Sequence, residues 1–196
     1  MTKTKETISV QEMQKLADAS IRAISIALKR KVPPVRIDGS KQDPSGEMIM
    51  SYSPPNVINW VGSYYPNVPD SYVLLHELGH HVLQTNWPNL TDSLEEYDIP
   101  GEKISEGTCE FLGLDVFPNI CAVPNEVKAF SMKERKRILN GEIESIRKVD
   151  DYGYIMIRSF AKKRGLDGLL KEFDIAETQP EPADYLYNVI KGRIER

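Results

Sequence analysis

The sequence predicts an α+β fold: a small, mostly antiparallel sheet early in the chain, then a helical C-terminal half. Three patterns predict it. Apolar residues recur at helical spacing through Met13, Leu16, Ala17, Ile21, Ile24 and Leu28. Two strand-like runs, Glu47 to Ser53 and Val57 to Val61, flank Pro54-Pro55-Asn56. After Pro124 every pattern is helical.

Taken in order, Ser9-Val10-Gln11-Glu12 is a capping box that starts a first helix, which runs to Lys31 before Pro33-Pro34. Val35 to Ile37 reads as a short strand and Gly39 to Ser45 as a polar turn. The next helix is predicted over residues 70–86, capped by Asp70 or Ser71 and stopped at Trp87-Pro88. Val73, Leu74, Leu78 and Val82 form its apolar stripe. A loop from Trp87 to Pro100 leads to a helix over about 101–114, and Pro118 and Pro124 break the chain again. Ser131-Met132-Lys133-Glu134 reads as a second capping box, with its helix closed by Asn140-Gly141. A longer helix from Glu142 to Arg164 stops at Gly165, and Leu166 to Phe173 adds a short one. Gln179-Pro180-Glu181-Pro182 marks a linker before a last helix over 183–195. The expected organisation is one domain over residues 1–178 and a helical tail over 179–196 that packs on it.

At 196 residues the chain can bury a core of its own, and its composition is ordinary for a globular protein. The net charge is −4 and no dense basic stripe appears, which argues against nucleic acid as a partner. No apolar run approaches a membrane span, and the polar start Met1 to Glu6 lacks a signal core. Cys109 and Cys121 are too few for a disulfide framework. A cytoplasmic location is the expectation.

The chain has three histidines, all within His76-Glu77-Leu78-Gly79-His80-His81. The first five residues match His-Glu-x-x-His, the zinc-binding signature of metallopeptidases. On a helix, His76 and His80 project from one face, so both imidazoles reach one cation. Glu77 sits where a carboxylate can accept a proton from water. His81 points off that face. A catalytic zinc needs a third protein ligand. With no histidine left, Glu106, Glu110, Glu102 and Cys109 are the candidates, and Glu106 and Glu110 lie one helical turn apart.

Here the chain resembles the gluzincins, and among them the minimal soluble members. Their second motif is a helix reading roughly Asn-Glu-(Gly/Ala)-x-x-(Glu/Asp), and Ser105-Glu106-Gly107-Thr108-Cys109-Glu110 is similar to it. The resemblance implies a zincin-like fold and a Zn2+ cofactor held by His76, His80 and Glu106. It implies that Glu110 orients a ligand histidine by accepting its other N–H. It further implies hydrolysis of a peptide or protein substrate by metal-activated water, with Glu77 as general base. Substrate would add to an edge strand of the sheet near residues 47–61. Aminopeptidase-like gluzincins, whose corresponding helix the segment from Asp150 to Gly165 resembles, place a tyrosine three residues before a helix glycine, as a transition-state stabiliser. In Asp150-Asp151-Tyr152-Gly153-Tyr154, Asp150 holds that register, and Tyr152 and Tyr154 are the nearby candidates.

Two other readings stand beside the peptidase. One is a zinc-stabilised interaction module, or an inactive homologue, or a latent one held by its own C-terminal tail. The other is a regulatory peptidase that cleaves a repressor-like protein, since such enzymes also carry His-Glu-Leu-Gly-His-His.

Overall fold

The computed structural model describes residues 8–40, 50–60, 68–143 and 147–192. The outer parts of several expected elements fall outside these ranges: residues 47–49, Val61, the run 144–146 and residues 193–195. The described chain is mostly helical around a small sheet, an α+β architecture.

Helix α1 (Val10–Leu28) starts at the expected capping box: Ser9 accepts from the Glu12 N–H, and Glu12 accepts from the Ser9 N–H. It buries Met13, Ala17, Ile21, Ile24 and Leu28. Strands β1 (Arg36–Asp38), β2 (Met50–Ser53) and β3 (Val57–Trp60) follow, in spatial order β1-β3-β2. The sheet is mixed rather than mostly antiparallel. Strands β2 and β3 are joined by a tight turn and pair antiparallel, but β1 lies on the far side of β3 and runs parallel to it.

Helix α2 (Asp70–Asn86) spans the predicted residues. Its N-cap is Pro69, with no side-chain cap bond, so neither Asp70 nor Ser71 caps it. The expected loop after Trp87 is instead helix α3 (Pro88–Glu96), and α4 (Asp98–Phe111) begins earlier than expected. Pro88 ends α2 but also opens α3, because a missing N–H costs nothing in a first turn. The cap comes from far away: the Glu177 carboxylate accepts from the N–H groups of Asn89 and Leu90.

A π-helical turn (Leu112–Val116) and α5 (Phe117–Ile120) follow α4. Helix α6 (Asn125–Leu139) begins right after Pro124. The capping box expected at Ser131 is therefore overturned; Ser131 is buried in mid-helix. Helix α7 (Lys148–Ala176) is broken at Gly165, where φ is 77°, and then continues. Helix α8 (Pro182–Ile190) lies against α3 and α7: the Ala183 N–H donates to Ser93, Tyr97 to Asp184, and Tyr185 to Glu172.

The core is one cluster shared by α1, the sheet, α2 and the later helices. Trp87 is fully buried, edge-on to Phe173 at 5.2 Å. Burial of one such side chain contributes about 3 kcal/mol. Two backbone crossings bring the central helices together. A Cβ at Gly79 would lie 2.9 Å from the Cys109 Cα, where α2 meets α4. A Cβ at Gly107 would lie 2.2 Å from the Gly153 carbonyl carbon, where α4 meets α7. Among the described residues, no helix is long and apolar enough to cross a membrane.

Candidate metal centre

Helix α2 presents His76 and His80 one turn apart, and α4 carries Glu106 to meet them. The His76 Nε2 lies 3.2 Å from Glu106 Oε2 and 3.3 Å from His80 Nε2. His80 Nε2 lies 3.4 Å from the other Glu106 oxygen, Oε1, which completes the triangle of residues. These three side chains are partly buried, and their donor atoms converge as a group that could hold a metal ion.

Glu110 lies behind the triangle, one turn along α4, and is buried. Its Oε2 accepts from the Tyr72 hydroxyl at 2.6 Å and faces His76 Nδ1 at 3.2 Å. Its Oε1 accepts from Arg147. Burial alone would raise the Glu110 pKa, but the Arg147 charge and the His76 hydrogen bond hold it at about 2. Glu110 is therefore an ionised acceptor, and His76 Nδ1 must be the donor. In a neutral His76 ring, Nε2 then carries a lone pair, directed at an acceptor oxygen of Glu106 and at His80 Nε2. Two acceptor atoms, His76 Nε2 and the Glu106 oxygen, then face one another and need a proton or another cation between them. A proton meets this need in part. Burial disfavours a charged His76, yet its hydrogen bonds to Glu106 and Glu110 raise its pKa well above the imidazole norm. The same histidines outweigh burial at Glu106 and hold its carboxyl far below the usual range.

No known protein family, curated protein or solved structure matches the chain.

Glu77 is buried beside the triangle, and its Oε2 accepts the Tyr52 backbone N–H at 2.7 Å. Burial raises its pKa, opposed by the charges of His76 and His80. Tyr52 lies on β2, which is at one edge of the sheet among the described residues. The third histidine, His81, is fully buried. Its Nε2 bonds the Pro33 carbonyl at 2.8 Å, so Nε2 carries the proton and Nδ1 accepts from the Tyr52 hydroxyl at 3.2 Å. Burial lowers its pKa. His81 therefore pins β2 to α2, and through Tyr52 fixes the strand against Glu77.

The remaining candidates are placed as follows. Asp150 is partly buried; burial and the Glu106 charge push its pKa up to about 6, so it shares the field of the triangle. Tyr154 is buried, with its hydroxyl donating to Asp115 at 2.6 Å. Tyr152 is exposed on α7, beside Lys103 and Met156. Glu102 is exposed on α4. Cys109 is the small buried residue against Gly79, and burial pushes its thiol pKa well up; both cysteines are free. Sequence reasoning missed Tyr52, Tyr72 and Arg147. Tyr72 lies four residues before His76, on the same helix face, and that spacing was a usable signal. Arg147 carried none, because its partner Glu110 lies 37 positions away.

Proposed function

We propose that this protein is a zinc-dependent peptidase with a zincin-like fold of the gluzincin type. The convergence of His76, His80 and Glu106 carries the reading. Four-coordinate zinc with bonds of about 2.0–2.1 Å separates its ligand atoms by roughly 3.3 Å. The two imidazole nitrogens here are 3.3 Å apart, and each lies 3.2–3.4 Å from one or the other Glu106 oxygen. The donor set, two imidazoles and one carboxylate, leaves a fourth position open.

When bound, zinc there supplies Lewis acidity toward water and toward a peptide carbonyl. Glu77 takes the proton of the attacking water and later delivers it to the departing amine nitrogen. Its burial shifts its proton affinity upward, toward the value a shuttle near neutral pH needs. Glu110, held by Tyr72, fixes the orientation of the His76 ring. An extended substrate lies along the edge strand β2, using main-chain hydrogen bonds. The Tyr52 contact brings that strand to the base.

The test is cleavage of an unbiased peptide mixture by zinc-loaded protein, read by mass spectrometry beside Glu77→Gln. Products from the wild type that are absent with Glu77→Gln support the peptidase. A second reading, a zinc-stabilised interaction module or latent homologue, is favoured by Asp150 in the tyrosine register and by the engagement of Tyr154 with Asp115. Zinc retention with no products from either protein would select it.

A further inference from the structure

Arg147 sits at the lead-in to α7, outside every motif in the sequence, yet it reaches the back of the candidate metal centre. Its guanidinium donates to Glu110 Oε1, while Glu110 Oε2 serves Tyr72 and His76. Both carboxylate oxygens are thus engaged, from α2 on one side and from the α7 lead-in on the other. A second guanidinium nitrogen lies 3.4 Å from Glu134 Oε2 on α6, and Nε lies 3.8 Å from Asp150 Oδ2. Arg147 is itself clamped among three acidic side chains.

We propose that Arg147 is a positioning residue for the metal centre: it locks the Glu110 carboxylate, which in turn locks the His76 imidazole with Nε2 facing the ligand triangle. This rests on the zinc reading above and extends it to a part of the chain that supplies no ligand. The physical argument is geometric. A carboxylate with one engaged oxygen can turn about its last side-chain bond. With a planar donor on the other oxygen, it is held in one orientation. Outer partners of metal-bound histidines commonly change metal affinity by about 10–100-fold. Arg147 acts one bond further out, so the expected loss is about tenfold.

The experiment measures zinc(II) affinity by competition with a chromophoric chelator for the wild type, Arg147→Met, Arg147→Lys and Glu134→Gln. Urea denaturation of each metal-free protein accompanies it, so that variants are compared only where they are folded. Arg147→Met should bind zinc about tenfold more weakly. Arg147→Lys should recover part of the loss. Glu134→Gln removes another partner of Arg147 but leaves Glu110 engaged, and should bind like the wild type. Equal affinity in Arg147→Met and the wild type overturns the proposal and leaves the zinc reading intact. So does an equal loss in Glu134→Gln, because the effect would then be general loosening. If Arg147→Met does not fold, Arg147→Lys decides: affinity unchanged although Lys cannot span both groups overturns the lock, and a fall of several-fold supports it. A wild type that binds no zinc overturns both readings.

Discussion

Replacing Gly107 with alanine should separate two opposed effects cleanly. Gly107 lies inside α4, where alanine is favoured over glycine by up to about 1 kcal/mol on helix propensity alone. The packing argument has the opposite sign. The added Cβ would lie 2.2 Å from the Gly153 carbonyl carbon, 2.4 Å from its Cα and 2.6 Å from its oxygen. Ordinary carbon contacts are about 3.5–4.0 Å, so α4 and α7 must part by more than about 1 Å. Overpacking costs about 1–3 kcal/mol, and a backbone neighbour cannot rotate away, so the upper end applies. The net expectation is a loss of about 2 kcal/mol or more, a large share of the stability of an ordinary domain. Glu106 is the adjacent residue, so its carboxylate shifts as well, and zinc affinity should fall. Urea denaturation of the metal-free protein gives the first quantity and chelator competition the second. Gly113→Ala is the control, since its Cβ would meet nothing closer than 3.6 Å. If Gly107→Ala is as stable as the wild type or more so, helix propensity governs the site and the close crossing is not there.

Asp150→Asn should stabilise the metal-free protein above pH 6 and do so less toward pH 4. The folded pKa of about 6 exceeds the ordinary 3.8, chiefly through burial and the Glu106 charge. Between those values the folded state binds more protons than the unfolded one, so stability falls as pH rises. The full cost stands above about pH 6 and is at most about 3 kcal/mol before solvent screening. Urea titrations at pH 4.5 and pH 7.5 check this, and identical gains at both would refute it. His81→Leu should cost about 2–3 kcal/mol by leaving the Pro33 carbonyl unpaired and the Tyr52 hydroxyl without its acceptor. Its zinc affinity should stay within about threefold of the wild type, because His81 offers no atom to the triangle. A tenfold drop in affinity would show that β2 is part of the metal site itself.

Local signals were legible in the sequence and remote ones were not. The Ser9 capping box, the span of α2 and the shared face of His76 and His80 follow from spacings within one helix, and the meeting of Glu106 and Glu110 with them is what the resemblance of the second motif implies. The first turn of α3 was hidden because its partner, Glu177, lies 87 positions beyond Leu90. Ser131 to Glu134 has the letters of a helix start, but Pro124 lets the helix begin earlier, so the same residues lie in mid-helix. The parallel register of β1 depends on which side of β3 it joins, and no local pattern specifies that.

The distant cap of α3 also sets an order of events. The Glu177 carboxylate completes the N-terminus of α3, and Asp174 accepts the Trp87 indole N–H at 2.9 Å, just before that helix. Both acids lie 87 positions beyond the residues they serve. On the ribosome, α2 and α4 are synthesised long before either acid emerges. The segment that joins the histidine helix to the glutamate helix therefore waits for partners 87 positions further along the chain. The amide protection of Asn89 and Leu90 reports the docking of this later segment. A nascent chain arrested before Asp174 holds the ligands without the two acids that complete the start of α3.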